Sequence, residues 1–278
     1  MDNRNLKGEF RIVLEKYDNK TKISEKYSNG LIKISPTIHL DSEKIPAYFI
    51  LGLGGGYVEG EKYKNEVIIK KGGRSIITTQ AATKVYKCLK ENGKTEQETI
   101  IKLEDDSILE YVTDSVILYE DAIYKQETDI YMNKDSTLIY SDGITAGWSK
   151  GGENFKYKSA QLKTKLYVEE KLVLLDNLLV NPREEDITSL GYFEGYKNLG
   201  TLIAINKNIS KDIVETLRKE INNLSLPIYF GISMLEVNGF VLRVLGNLTQ
   251  DIEKAILVCH NYIRKEFLGS RNLSIRKY

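Results

Sequence analysis

The sequence has few of the residues on which disulfide and metal chemistry depend. Among its 278 residues only two are cysteines, Cys88 and Cys259, and only two are histidines, His39 and His260. Two distant cysteines do not form a disulfide framework. Cys259 and His260 are neighbours, but successive residues of a helix point about 100° apart and are poorly placed to share one ion. A tightly bound metal is therefore not expected, and we expect Cys259 in the core and His260 at its rim.

The sequence also has no excess of positive or negative charge, and it has no long apolar run. Forty basic residues stand against 39 acidic ones, which gives a formal net charge of +1. Nucleic-acid-binding proteins more often carry a basic excess on one face, so no nucleic-acid partner is expected. No segment approaches the ~18 apolar residues of a membrane span, and the start MDNRNLKGEF does not resemble a signal peptide. The sequence therefore predicts a cytoplasmic protein without a membrane partner.

Alternating apolar and polar residues are abundant between residues 8 and 180. Runs such as Phe10-Ile12-Leu14 and Val116-Leu118 have a period of two, and turn residues such as Ser28-Asn29-Gly30 separate them. This pattern predicts short β-strands in a sandwich, a barrel or a coil of strands. No linker rich in Pro, Gly or Ser interrupts the chain, so we expect a single domain over residues 1–278.

The pattern changes in the last third of the sequence. Residues 192–205 contain several turn residues and are predicted to form a hairpin that returns to the sheet. Residues 211–224 and 249–268 carry apolar side chains at helical spacing, which predicts two C-terminal α-helices. Ser210 and Thr249 are expected to cap these helices, because hydroxyl side chains accept hydrogen bonds from the first free N–H groups.

The most distinctive residues lie between Gly52 and Tyr86. Glycines at 54–56 and small or hydroxyl side chains at 76–84 are typical of backbone that another segment approaches closely. The motifs GGGYVEGE at 54–61 and ITTQAATKVY at 77–86 resemble the UreD (UreH) family of urease accessory proteins. The resemblance continues through LEYVTDSVILYEDAIY at 109–124, SDGITAGWSKGGENFKY at 141–157 and the C-terminal helix, and so it spans nearly the whole chain.

That resemblance implies both a fold and a function. The fold would be mostly β, a helical, β-helix-like coil of strands with two C-terminal α-helices. The protein would be a urease maturation scaffold or chaperone and not an enzyme. It would bind apo-urease and the accessory protein UreF, and through UreF the GTPase UreG, and it would assist nickel delivery. Nickel would pass transiently, and no cofactor would be tightly bound.

Acidic residues are the candidates for handling nickel. In the UreD family the ion is thought to cross the accessory complex through an interior passage. Carried onto this sequence, Glu61 and Asp142 are the best candidates for its lining, and Glu59, Glu153 and Asp176 are further ones. Carboxylates suit an ion that must enter readily and also leave. The alternative is that each of these side chains is a solvated turn residue, because exposed acids are the norm.

The residues expected to contact partner proteins are Trp148 and several near the C-terminus. Trp148 is the only tryptophan, and it would serve either as an aromatic anchor for a partner or as a core residue. The helix from 249 and the segment Ser270–Tyr278 are expected to contact UreF, because a terminal helix and a basic tail are free to dock. The candidates in this region are Arg264, Arg271, Arg276 and Tyr278.

Two other functions stay open from the residues alone. One is a β-rich enzyme, and the other is a generic β-rich binding module unrelated to nickel. Against an enzyme, the glycine turns at 52–56 and 71–75 lack the spacing of a phosphate-binding loop. No arrangement of Ser or Cys with His predicts a nucleophile. A small molecule that raised the melting temperature would favour the enzyme.

Overall fold

A computed structural model describes residues 6–40, 43–90 and 93–273. Most of these residues form strands. In chain order the strands are β1 (Leu6–Tyr17), β2 (Lys20–Gly30), β3 (Ile32–Ile34), β4 (Ile38–His39), β5 (Pro46–Gly52), β6 (Lys62–Ile69), β7 (Arg74–Thr79), β8 (Lys84–Val85), β9 (Thr95–Leu103), β10 (Ile108–Val112), β11 (Ile117–Leu118), β12 (Ile123–Met132), β13 (Thr137–Ile144), β14 (Ser159–Val168), β15 (Lys171–Val180), β16 (Asn198–Ile205), β17 (Ile228–Met234) and β18 (Gly239–Gly246). Two α-helices accompany them in the described ranges, α1 (Lys211–Asn223) and α2 (Thr249–Phe267).

The central strands form a coil. From β5 to β14 the chain alternates between two sheets, apart from the short strands β8 and β11. From β7 onward each strand of these two sheets pairs in parallel with the preceding strand of its own sheet. The parallel series are β6, β9, β12 and β14 in one sheet and β5, β7, β10 and β13 in the other. The mostly β, coiled architecture with two C-terminal helices is therefore confirmed. The alternating pattern alone left a sandwich and a barrel equally open, because all three have half-buried strands.

The two sheets lie face to face, and outer strands extend each of them. Within the described residues, the seven-stranded sheet has the order β15-β14-β12-β9-β6-β1-β2, and the nine-stranded sheet has the order β17-β18-β16-β13-β10-β7-β5-β3 with β4 beside β5. The short strands β8 and β11 pair separately. Strands β15 and β17 are thus the edges of the two sheets on the same side of the coil.

Every second side chain of the central strands points into the space between the sheets. Phe10, Ile12 and Leu14 of β1 are at most 2% exposed, as their period-two spacing predicts. They belong to the main core, which strands of both sheets line. Burial of this apolar surface is the dominant force that holds the sheets together.

The helices cover the other face of the nine-stranded sheet and form a second core. Leu217 of α1 and Ile252 and Cys259 of α2 pack there against the sheet, which confirms Cys259 as a core residue. The side chain of Ser210 accepts a hydrogen bond from the N–H of Ile213 at 3.5 Å, so the predicted cap of α1 is confirmed. None of the helices in the described part of the chain is long and apolar enough to cross a membrane.

Three local predictions are wrong. Helix α2 is capped by Leu248 without a side-chain hydrogen bond, so Thr249 is not its cap. His260 is 1% exposed and lies in the interior, not at the rim. Residues 192–205 form turns followed by the single strand β16, not a hairpin. Within that strand, a Cβ on Gly200 would come within 2.4 Å of Ile252, so this glycine lets α2 pack closely and does not make a turn.

Candidate functional site: a polar passage between the sheets

A row of polar side chains crosses the interior face of the seven-stranded sheet. Asn65, Thr99, Thr128 and Thr164 occupy matching register positions on four adjacent strands, and Asp176 continues the row on the edge strand β15. The first four are between 2% and 4% exposed. Interior positions of a sheet usually carry apolar side chains. The row therefore forms a polar lane through an otherwise apolar core.

The nine-stranded sheet contributes the facing wall near its β13 strand. The rings of Tyr111 and Tyr140 are stacked with their centroids 5.7 Å apart. The hydroxyl of Tyr140 donates to Oδ2 of Asp142 at 2.9 Å, and Nε2 of Gln126 donates to the same oxygen at 3.3 Å. Tyr140 also lies 3.3 Å from the hydroxyl of Thr128. Hydrogen bonds thus join the two walls at Asp142.

Three cavities follow one another along this lane. Their volumes are about 280 Å³ beside the glycine turn, about 30 Å³ in the middle and about 330 Å³ at the β15–β17 side. Tyr57 and Thr79 line both the first and the middle cavity, and Asp142 lines both the middle and the last. The middle cavity is the smallest of the three and is about large enough for one water molecule.

The middle cavity contains an unsatisfied buried group. Oδ1 of Asn65 is buried and has no hydrogen-bond partner, although Nδ2 of the same side chain donates to the hydroxyl of Thr99 at 3.3 Å. Buried acceptors normally have a partner. Asn65 lines the middle cavity, where a small polar ligand such as water or a cation would satisfy it.

Asp142 supplies the carboxyl group at the junction of the middle and last cavities. Burial is the largest influence on its carboxyl and raises its pKa, and the nearby charge of Asp176 acts in the same direction. The hydrogen bond from Tyr140 and the charge of Arg243 oppose this, and the net result is a pKa raised from 3.8 to about 7. A raised pKa in a cleft is typical of functional carboxylates.

The first cavity is bounded by the glycine turn. A Cβ on Gly56 would lie 2.7 Å from the backbone oxygen of Lys84, and the hydroxyl of Tyr86 donates to the backbone oxygen of Gly55 at 2.8 Å. The glycines thus allow close packing against the chain's own residues at 84–86. Gln80 and its small neighbours line the same cavity.

The last cavity opens between the edges of the two sheets. Nη2 of Arg243 on β18 donates to Oδ1 of Asp176 on β15 at 2.8 Å, so an ion pair spans this opening. Tyr229 on β17 also lines the cavity and is 56% exposed, which places it at the rim. Asp142 therefore lies inside the passage, while Asp176 and Arg243 lie at its mouth.

Two of the five predicted nickel-handling residues meet in this passage, namely Asp142 and Asp176. Glu61 lies near the other end, where its carboxylate accepts a hydrogen bond from the hydroxyl of Tyr63 at 2.6 Å. Tyr63 lines the first cavity, and Glu61 does not.

The other two predicted acids lie outside the passage and have local partners. Glu59 accepts hydrogen bonds from the backbone N–H groups of Leu89 and Lys90. Glu153 is exposed and pairs with Lys156 at 2.9 Å. Among residues 6–40, 43–90 and 93–273, no group of three or more His, Cys, Asp and Glu side chains is placed to hold a metal ion.

The sequence prediction missed several residues that line the passage. Asp114 lines the middle cavity, and its carboxylate accepts a hydrogen bond from the hydroxyl of Thr79 at 3.0 Å. Arg243 and the threonine row were also missed. These residues could have been found from threonine or asparagine at those strand positions where the period of two predicts an inward, apolar side chain. Thr128, two residues before the apolar Ile130, is an example.

The residues predicted to contact partners have different environments. Trp148 is 52% exposed and packs on Tyr119 with centroids 4.9 Å apart, so it is a surface aromatic and not a core residue. Arg264 is 0% exposed and bound to Glu110, which leaves it no surface for a partner in this fold. Arg271 is exposed.

The end of the chain is not free throughout. Ser270 and Leu273 are 5% and 2% exposed, and Leu273 packs on Ile45 and Ile76. The expectation that the whole segment from 270 is free to dock is therefore wrong for Ser270 and Leu273, whereas Arg271 between them is exposed. Arg276 and Tyr278 lie outside the described residues.

Comparison with known proteins identifies the family. The family model for "UreD urease accessory protein" matches residues 6–277. This chain belongs to the UreD family. Curated UreD proteins are similar along most of their length. The protein from Streptococcus salivarius is 41% identical over 254 residues, 91% of this chain and 90% of the relative. The one from Bacillus cereus is 38% identical over 266 residues, 96% of each chain.

A third relative also carries the UreD name, and membership of this family decides between the function classes. The UreD protein of Lachnoclostridium phytofermentans is 34% identical over 274 residues, 99% of each chain. The chain is thus a urease accessory protein with a role in urease maturation and is not a catalytic enzyme. The predicted resemblance to the UreD family is confirmed.

Proposed function

We propose that this chain is a cytoplasmic scaffold that binds apo-urease and UreF, and UreG through UreF, and that nickel crosses its interior passage on the way to urease. The observation that carries the proposal is the row of buried polar side chains on the seven-stranded sheet, which faces Asp142 of the other sheet. A core that served stability alone would gain more from apolar side chains at these positions.

The ligands of the passage suit an ion in transit. Carboxylate, hydroxyl and amide oxygens bind nickel less strongly than imidazole or thiolate groups do. Asp142, Tyr140 and Gln126 offer only oxygen and amide groups in the middle cavity. A transferred ion has to leave each site it visits, so weak oxygen ligands favour delivery, and no tightly bound cofactor is proposed.

Asp142→Asn should abolish nickel delivery. Asparagine preserves the size and an acceptor for Tyr140, but it removes the negative charge that attracts the cation at the middle cavity. Cells that carry the urease operon without this gene would be complemented with the wild type or the variant. We expect the nickel content and activity of the purified urease to fall at least about tenfold with the variant, since loss even of a side chain that only supports a metal ligand typically costs about tenfold or more in affinity or activity.

Glu153→Gln is the matched control for that experiment, because Glu153 is an exposed carboxylate outside the passage. It should restore urease as well as the wild type does. Full nickel loading with Asp142→Asn, at equal protein levels, would contradict a route through this passage. Full loading without the gene would contradict the maturation role itself.

The surface for UreF is proposed at the C-terminal end and around Trp148. Because Leu273 is buried, a truncation that starts at 270 would expose core. Removal of residues 274–278 keeps the buried Leu273 and takes away the predicted contact residues Arg276 and Tyr278 together with their neighbours. It should therefore reduce co-purification of UreF, with a thermal midpoint near that of the wild type. Circular dichroism and a pull-down with tagged UreF measure the two effects. Undiminished UreF recovery would contradict a contact through this tail.

A further inference from the structure

The mouth of the passage contains a positively charged side chain, that of Arg243. Arg243 lies in register with Thr201, which in turn lies in register with Asp142, so the three residues form a row across β13, β16 and β18. The guanidinium of Arg243 reaches across the opening to Asp176 at 2.8 Å. Asp142, Asp176 and Arg243 all line the last cavity. A permanent positive charge thus stands where a cation would pass.

These three groups also act on one another electrostatically. The charge of Arg243 lowers the pKa of Asp142, and the charge of Asp176 raises it. The guanidinium is protonated at any physiological pH. An incoming divalent cation therefore meets a repulsive charge and a carboxylate that is already paired.

We propose that Arg243 sets the affinity of the passage for divalent cations, because it competes with the ion for Asp176 and so allows the ion to be released. This proposal rests on the proposed function. With Arg243 in place, Asp176 is held in an ion pair at the mouth, and Asp142 inside the passage is the carboxylate left to the ion. Without it, Asp142 and Asp176 together would present two negative charges, which match a divalent ion and would retain it.

A purely structural role for Arg243 makes a different prediction. Arg243 is 52% exposed, and half-exposed ion pairs contribute little to stability. If it only joined the two sheet edges, its replacement would change the melting temperature slightly and leave cation affinity unchanged. Binding measurements therefore distinguish the two roles.

Arg243→Gln should bind Ni²⁺ about tenfold more tightly than the wild type, as the loss of a repulsive charge near the site allows. Equilibrium dialysis of Ni²⁺ against the purified full chain measures the affinity. Arg243→Lys keeps the charge and should stay near the wild type. Arg183→Gln is the matched control, because Arg183 pairs with Asp121 outside the passage. The double variant Arg243→Gln/Asp142→Asn should lose the added affinity.

The same variant should deliver nickel less well although it binds nickel more tightly. In the complementation assay, Arg243→Gln should lower the rate at which urease activity appears after nickel is added, while Arg183→Gln should not. Unchanged Ni²⁺ affinity of Arg243→Gln, in a correctly folded chain, would overturn the proposal. If Asp142→Asn still abolished delivery in that case, the passage itself would stand, whereas full delivery by Asp142→Asn would remove the proposed function.

Discussion

Replacing Glu110 by glutamine should lower the free energy of unfolding by about 3–5 kcal/mol, because it removes the charge of a fully buried carboxylate that pairs with Arg264. Glu110 on β10 and Arg264 on α2 are both 0% exposed and directly paired. The same carboxylate accepts hydrogen bonds from Nε2 of His260 at 2.7 Å and from Nη2 of Arg74 at 3.0 Å. One side chain thus ties the helix to the nine-stranded sheet.

The network also holds the final described segment. Nε of Arg264 donates to the backbone oxygen of Arg271, and Nη1 of Arg74 donates to the hydroxyl of Ser270, both at 2.8 Å. Loss of Glu110 would therefore loosen residues 270–273 together with α2. The expected fall in melting temperature is about 10 °C for a protein of this size.

The pH dependence of stability checks the same network. Burial alone would raise the pKa of Glu110, but the hydrogen bond from His260 and the charges of His260, Arg264 and Arg74 lower it from 4.5 to about 2. The unfolded chain takes up this proton at a higher pH than the folded one. The stabilisation is therefore complete above pH 4.5 and is lost as the pH falls towards 2.

Urea denaturation of the wild type and Glu110→Gln between about pH 7 and pH 3 measures both effects. The wild type should lose stability on acidification more steeply than the variant, which has no carboxyl to protonate at this position. Glu236→Gln is the control, because Glu236 and Lys171 form an exposed pair, each 71% exposed. Its midpoint should equal that of the wild type. An equal midpoint for Glu110→Gln would show that the buried network adds nothing to stability.

The sequence was sufficient for those parts of the fold that depend on local periodicity. The runs at Phe10–Leu14 and the apolar faces of α1 and α2 were predicted correctly, because hydrophobic alternation and helical spacing are local signals. The coil followed from family resemblance. Strand pairing between residues as distant as Thr99 and Thr128 has no local signature in the sequence.

The candidate site was predicted only in part for the same reason. Asp142 was found because it lies in a distinctive motif, but its meeting with Asp176 depends on how β13 and β15 pack across the interior. The helical spacing put Cys259 on the apolar face of α2 and His260 beside that face, so His260 was predicted to lie at the rim. Its interior position depends on Glu110, a charged partner 150 residues earlier in the chain. Long-range polar pairs of this kind cannot be inferred from spacing.

Asp142→Asn should stabilise the protein at pH 8 while it abolishes nickel delivery. The pKa of Asp142 is raised from 3.8 to about 7, which sets a limit of about 4 kcal/mol on the cost of ionising it in the fold. The neighbouring cavity admits water, so a gain of about 2 kcal/mol is the realistic expectation. Thermal denaturation should show a midpoint about 6 °C higher for the variant at this pH.

The sign of the pH dependence is opposite to that of Glu110. A carboxyl whose pKa is higher in the folded state stabilises it fully below pH 3.8, and this stabilisation is lost as the pH rises through 7. The advantage of Asp142→Asn should therefore grow between about pH 4 and pH 8. Tyr140→Phe removes a hydrogen bond that lowers this pKa, so its loss of stability should extend to higher pH. Glu153→Gln should show no such trend.

Stability and delivery together decide what Asp142 is for. If Asp142 served only the fold, its replacement would lower both the stability of the protein and nickel delivery. A functional residue, in contrast, is often retained although it lowers stability. A more stable Asp142→Asn protein that leaves urease without nickel would mean that the buried charge is maintained for the ion. A variant that is less stable at pH 8 would mean instead that the ionised carboxylate is held by its partners as part of the core, and the loss of delivery would then follow from misfolding.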